Sequence, residues 1–363
     1  MRIVVDAMGS DTYPQPDVEG AVMAAREYGV EVILVGDENK VKPLLAAQNP
    51  GSLPVRVVHA PEMLTMQDKG LALALKAKRK NAQNSMAVGL DLVKSGEAQA
   101  FVTAGNTGAA AATAYFRLGT LPGVERPALA PVFPTARGYC VVLDIGANPD
   151  CKPENLLQFG LMGSLYAERV RGRQKPRVGL LSNGEEAGKG NQLVKDTYPL
   201  LAASGLNFIG NVEPKELIAG EADVVVTDGF SGNVLLKSSE AVARFLLETM
   251  KEKLQAAPLW VKLGAVLVKP TLQSLRRLLD SSEEGAAPLL GINGLVFIGH
   301  GRSDALAIKN AVRVAKQAVD ADVVNSLRQE ISRSLPGALP GALTGTPNPP
   351  PHVPSIPESQ VSA

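Results

Sequence analysis

Short β-branched runs alternate with longer stretches of helical period along most of the chain. The runs occupy residues 3–5, 32–35, 55–58, 100–102, 141–143, 178–181, 224–226 and 295–298. Apolar runs of this length, bounded by turn residues, fit strands buried on both faces. Between them, residues 17–28, 85–95, 155–170 and 192–203 are amphipathic stretches of helix length, as expected for helices that cover a sheet. The alternation predicts an α/β fold over residues 1–335, a doubly wound, mostly parallel sheet. The stretch 231–280 breaks the rhythm with two long helical segments around Pro258 and Pro270 and reads as a projecting helical hairpin. From Pro336 to Ala363 the chain is rich in proline and lacks periodicity, the pattern of a disordered tail.

Five turns rich in Gly and Asn follow the strand-like runs: GNTGA (105–109), DIGAN (144–148), NGEEAGKGN (183–191), TDGFSGNV (227–234) and GHG (299–301). Glycine lets backbone N–H groups approach an anion, and Asn tolerates the left-handed turn that such loops need. In an open parallel sheet the loops leaving the carboxyl ends of strands gather on one side. The five are therefore expected to converge on a cleft that handles phosphate.

Composition narrows the classes. The 363 residues are 45% apolar, enough for a large core, and 37 Lys and Arg against 36 Asp and Glu leave a formal net charge of +1. No global basic field recommends nucleic acid. Cys140 and Cys151 have neither metal-ligand spacing nor a disulfide framework, and the first residues run directly into Arg2-Ile-Val-Val-Asp6 without an apolar leader. A reducing cytoplasm is the expected address. No apolar run reaches the ~20 residues a membrane-spanning helix needs. Neither a metal nor a cofactor is expected.

Within the loops, the amides of Gly105, Asn106, Thr107 and Gly108 and the Thr107 hydroxyl form a strand-to-helix turn suited to phosphate oxygens; the same glycines also suit a plain tight turn. Lys189 lies in a Gly-Lys-Gly context where its ammonium can neutralise phosphate or a developing oxyanion, or pair on the surface with Glu185 or Glu186. The loop is no nucleotide P-loop: three residues separate Gly184 from Gly188, and Gly190 stands where Ser or Thr should bind magnesium. No GxGxxG is completed either, because Leu193 and Asp304 occupy the third-glycine positions, which disfavours an NAD-dependent dehydrogenase. Asn233 can donate to an anion beside Gly232 while Asp228 fixes the turn, with Ser231 as an alternative helix cap. His300 can protonate a leaving thiolate or anchor its loop. Cys151 is an acyl acceptor only on chemical grounds, with no helpful base near it in sequence. Asp6, Asn148 and Glu185 complete the candidates.

In order along residues 1–332, the motifs DAMG from Asp6, AGNTGA, LDIGAN with DCKPENL, NGEEAGKGN, TDGFSGNV, PLLGING from Pro288 and His300-Gly301 resemble the bacterial phosphate acyltransferases. These convert acyl-acyl carrier protein and inorganic phosphate to acyl phosphate for phospholipid synthesis. The departures are Ser10, where the family commonly has a second Gly in DAMGGD, Ala187 and Gly188 in a usually more acidic loop, and the Pro-rich tail. The resemblance implies a fold similar to isocitrate dehydrogenases and phosphate acetyltransferases, a homodimer, and a long-chain acyl donor. It also implies that Asn106, Thr107 and Asn233 hold phosphate while Lys189 screens the charge that builds during attack. A short-chain acetyltransferase using coenzyme A and a non-catalytic membrane scaffold are the competing readings.

In the hairpin, Leu259, Leu263, Val266 and Leu267 fall at helical spacing with Trp260 beside them and lysines at the flanks. This composition suits an interfacial anchor or a dimer-packing helix pair. The resemblance favours peripheral attachment to the inner face of the cell membrane, with the product passing to a membrane glycerol-3-phosphate acyltransferase. Lys76, Lys78, Arg79 and Lys80, and separately Arg276 and Arg277, are basic clusters that can receive an acidic carrier protein or form solvated helix faces.

Overall fold

Each of the eight β-branched runs forms a strand. In a computed structural model, which describes residues 1–64, 68, 70–79, 81–278 and 280–334, the strands are β1 (Arg2–Asp6), β2 (Glu31–Gly36), β3 (Val55–His59), β4 (Ala100–Thr103), β5 (Ala128–Leu129), β6 (Val132–Thr135), β7 (Gly138–Leu143), β8 (Val178–Leu181), β9 (Phe208–Val212), β10 (Val224–Val226), β11 (Ala286–Leu290) and β12 (Leu295–Gly299). The helices are α1 (Gln15–Tyr28), α2 (Glu38–Ala47), α3 (Gly70–Lys78), α4 (Ser85–Lys94), α5 (Thr107–Leu118), α6 (Pro153–Arg169), α7 (Gln192–Ala202), α8 (Pro214–Ala219), α9 (Gly229–Ala256), α10 (Leu259–Leu278), α11 (Ala305–Asp320) and α12 (Val323–Ser334).

The strands form two sheets. A seven-stranded sheet runs β3-β2-β1-β4-β12-β11-β5 and a five-stranded sheet runs β6-β7-β10-β8-β9. Pairing is parallel from β3 through β12 and from β7 through β9, with antiparallel β11, β5 and β6 at one end of each sheet. Strands β6, β9 and β11 escape the sequence pattern because Pro134, Gly210 and Pro288 interrupt short runs, proline being confined to edges and irregular positions of sheets, and β5 escapes it because it is only two residues long.

Alternate residues of the central strands enter two separate cores. Ile3, Val5, Val32, Leu34, Val141, Leu143, Val224 and Val226 pack with α1, α6, α11 and α12. Val4, Ile33, Val35, Phe101, Val142 and Val225 pack with α4 and α5. This period of two, buried on both sides, defines a doubly wound sheet. Both cores cross from one sheet to the other, which joins the two halves. On one face α1 lies so close to α11 that a Cβ on Gly20 would stand 2.5 Å from that of Ile308.

The chain runs from β1 outward to β2 and β3 and then returns to β4 on the other side of β1. Loops diverge at such a reversal and open a crevice at the carboxyl ends of the strands. Helices α9 and α10, joined at Ala257 and Pro258, make the hairpin; it starts at Gly229, two residues before the expected boundary. The tail from Pro336, all of Lys80, and the side chains of Leu259, Leu263, Arg276 and Arg277 lie outside the described residues.

Candidate active site

At the β1–β4 reversal the DAMGS and AGNTGA turns meet backbone to backbone. A Cβ on Gly9 would lie 2.9 Å from both Gly105 N and Thr103 Oγ1, so only glycine permits the approach. Beneath them Asp6 is 1% exposed and accepts from Met8 N at 3.0 Å and Thr103 Oγ1 at 2.7 Å. Thr103 Oγ1 accepts in turn from Gly105 N at 3.0 Å. Burial pushes the Asp6 carboxyl up, against the pull of these donors and Ser85. Asp6 thus ties two loops together from below.

Helix α5 starts at Thr107. Asn106 is its N-cap, with Oδ1 accepting from Ala109 N at 2.8 Å. The first-turn N–H groups of a helix have no intrahelical partner and carry the positive end of its dipole. Thr107 is half-buried and Gly108 exposed, so this turn is open to an anion.

The second sheet supplies the facing loops. Asp144 is fully buried after β7 and is surrounded by donors. Its Oδ1 accepts from Leu129 N, Ile145 N, Gly146 N and Ala147 N at 2.8–3.3 Å, and its Oδ2 accepts from Asn148 N at 2.6 Å and Asn148 Nδ2 at 3.0 Å. Burial pushes this carboxyl up while the surrounding N–H groups favour its charged form. Asn148 is 2% exposed and also donates to Pro127 O, which makes it part of the loop's frame. The DIGAN turn is keyed into the start of α9: a Cβ on Gly229 would stand 2.6 Å from Asn148 O, and one on Gly232 would stand 2.0 Å from Asp144 O. Gly146 has φ +140°, and Asn233 Nδ2 lies 2.7 Å from where its Cβ would be. Asp228, not Ser231, caps α9: its Oδ1 accepts from Ser231 N and its Oδ2 from Ser231 Oγ, both at 2.8 Å.

Three of the five turns reach one cavity of about 2170 Å³, through Gly105 and Thr107 after β4, Ile145 after β7, and His300 and Gly301 after β12. Its far walls come from the hairpin, with Leu246, Met250 and Leu254 of α9 and Val266 of α10. Asn106, Asn233 and Asp228 are not among its lining residues; they shape the turns that are. His300 is exposed, and its Nδ1 accepts from Arg302 N at 3.2 Å, which leaves Nε2 as the protonated nitrogen of the neutral ring.

Lys189 is exposed in a separate, smaller cavity of about 420 Å³, with Asn183, Glu186 and Glu213. Its loop is tied by Lys189 N to Glu186 O at 2.9 Å and Gly190 N to Asn183 Oδ1 at 3.0 Å. Glu185 pairs with Lys215 rather than Lys189: the Lys215 ammonium contacts Glu185, Glu213 and Glu216 at 2.6–3.2 Å. These three carboxylates lie close enough to hold a cation, and the Lys215 ammonium already bridges all three. Burial pushes the Cys151 thiol up to about 12, and its Sγ donates to Asn148 O, so Cys151 is no thiolate nucleophile.

The chain matches the family model described as "Fatty acid synthesis protein" over residues 1–326. It is 47% identical over 332 residues to the phosphate acyltransferase of Pelotomaculum thermopropionicum, covering 91% of this chain and 95% of that protein. It is 47% identical over 333 residues to the phosphate acyltransferase of Elusimicrobium minutum, covering 92% and 96%. The chain belongs to this family. Among solved structures it resembles a EutD phosphotransacetylase from Staphylococcus aureus, with a TM-score of 0.56 at 15% identity over 87% of this chain and 94% of that one. That likeness is one of fold, and it agrees with the doubly wound architecture.

Two residues of the site escape the motif reading. Asp144 is the only charged residue of DIGAN, and its place at a strand end before small residues was its signal. Thr103 gave none, because its role depends on Asp6, ninety-seven positions earlier in the chain.

Proposed function

We propose that this family member transfers a long-chain acyl group from acyl-acyl carrier protein to inorganic phosphate, giving acyl phosphate for phospholipid synthesis. The observation that carries the reading is the match to curated phosphate acyltransferases over nine-tenths of the chain. Phosphate sits at the open first turn of α5, held by amides of GNTGA and the Thr107 hydroxyl, with the Asn106 cap fixing the turn. One phosphate oxygen attacks the thioester carbonyl carbon. The new C–O bond forms, the C–S bond breaks, and the proton of hydrogen phosphate ends on the carrier thiol by way of His300.

Phosphate is already nucleophilic, so orientation and charge stabilisation do most of the work. Lys189, on the loop after β8 of the other sheet and in the smaller cavity, screens the developing charge once its loop moves toward the bound substrate, and Asn233 acts on the oxyanion through the Gly146 turn over which it stands. The acyl chain follows the apolar wall of α9.

The enzyme works as a homodimer, with its hairpin resting on the membrane surface. Trp260 is 75% exposed and Leu267 83% exposed, while among the described residues no helix is long and apolar enough to cross a membrane. The product passes to a membrane glycerol-3-phosphate acyltransferase. Incubation of the purified protein with palmitoyl-acyl carrier protein and phosphate tests the reading. Carrier thiol and acyl phosphate are expected to appear in equal amounts and only with phosphate. Turnover of acetyl-coenzyme A in preference to the carrier thioester would overturn the donor assignment.

A further inference from the structure

The loop of residues 6–11 has a second anchorage besides Asp6. Its Gly9 abuts the AGNTGA turn, and its Asp11 N donates to Gly301 O at 2.7 Å. One short segment therefore holds the turns that carry Thr107 and His300 into the cavity. The segment is fastened by Ser10, 2% exposed, whose Oγ donates to Asp17 Oδ2 at 2.6 Å. Asp17 is 0% exposed in the first turn of α1, and its Oδ1 has no hydrogen-bond partner among the described residues. Among the described residues, no basic side chain is a main influence on the Asp17 or Asp6 carboxyl.

We infer that Asp17 is a positioning residue of the active site: through Ser10 it fixes loop 6–11, and through that loop the turns bearing Thr107 and His300. The inference rests on the reading of those turns as the phosphate and thioester side of the site. A charged carboxylate does not suit this position. A buried charge without a counterion is strongly disfavoured, and the charge of buried Asp6 acts against it as well.

Burial pushes the Asp17 carboxyl up to about 8; the Ser10 hydroxyl lowers it, and the charge of Asp6 raises it further. The charged groups on neighbouring helices are engaged elsewhere. Lys309 of α11 binds Glu27 at the other end of α1 at 3.0 Å, and Lys40 of α2 lies over the Tyr13 ring at 5.4 Å. Ionisation of Asp17 sets its charge against that of buried Asp6, and loop 6–11 loosens.

The test uses the full chain. Carbon-13 NMR of aspartate-labelled protein, with Asp17 assigned by its loss in Asp17→Asn, is expected to show a carboxyl titrating near 8. A midpoint in the ordinary carboxylate range overturns the inference whatever the activity. Phosphate-dependent turnover should fall about tenfold from pH 7 to pH 9, as one ionisation near 8 requires. Asp17→Asn has no proton to lose and should be flat over that range, whatever its level at pH 7. Ser10→Ala removes the link between Asp17 and loop 6–11 and should flatten the alkaline fall as Asp17→Asn does, a readout that stands even where Asp17→Asn does not fold. An Asp17→Asn profile that repeats the wild-type fall overturns the inference. Absence of turnover by the wild type at every pH overturns the functional reading instead, and the NMR midpoint then decides for Asp17.

Discussion

Asp144 is a buried carboxylate whose partners come from backbone and amide N–H groups rather than from a cation. Removing it strands several buried donors at once, each costing about 1–3 kcal/mol when left unpaired. Asp144→Ala is expected to lower stability by at least ~3 kcal/mol, read as a lower urea midpoint; a loss below ~1 kcal/mol would show that water replaces the carboxylate. Lys189 belongs to the same scale with opposite physics, an exposed cation on a loop. Lys189→Ala is expected to lower turnover at least ~100-fold, the scale of one lost oxyanion donor, without moving the melting temperature. Wild-type turnover in a folded Lys189→Ala protein would remove its role. The sequence pointed to Lys189 through its glycine context, whereas the engagement of Glu185 with Lys215 depends on the approach of α8, which no local pattern reveals.

At the scale of elements, the site is made by strand ends and helix starts that interlock. The start of α9 touches the DIGAN backbone so closely that Gly232→Ala places a methyl 2.0 Å from Asp144 O. Backbone on both sides leaves nothing flexible to yield. The substitution should cost more than the ~1–3 kcal/mol of ordinary overpacking and abolish turnover, measured by chemical denaturation alongside the phosphate-dependent assay. A fully stable, active Gly232→Ala would mean that α9 moves freely against β7. The caps at this scale were only partly legible: Asn106 and Asp228 are residue types that prefer the N-cap, but Ser231 is of such a type too, and Asn106 was expected to hold phosphate. What stayed hidden is that Asn106 and Asn233 shape the turns without lining the cavity, because a motif states which residues are near in sequence and not which face the solvent.

At the scale of the whole molecule, the cavity joins loops of both sheets to the hairpin, and the proposed membrane anchor is tested on that hairpin. Replacing Trp260 and Leu267 with Asp should release the protein from anionic vesicles in a flotation assay, while turnover of soluble carrier substrate persists. Unchanged flotation would discard the anchor. Stability reports the proton on Asp17. Its carboxyl is pushed up to about 8 from an ordinary value of 3.8, so the unfolded chain binds fewer protons between these limits. Its contribution is fully present below about pH 4 and is lost as pH rises to about 8. The wild-type melting temperature should therefore fall over this window more steeply than that of Asp17→Asn; parallel curves would place the carboxyl in water.

The chain by itself determined the α/β class, eight of the strands and the turns that follow them, because strand burial and helix covering leave periods of 2 and 3.6 in the order of residues. It also determined the family, through motifs whose order is their signature. Tertiary structure alone decided that the strands divide into two sheets, that three of the five turns reach one cavity while Lys189 lies in another, and that Asp17 is buried against Ser10. These depend on contacts between residues far apart in the chain, where shape and burial, rather than local pattern, choose the partners.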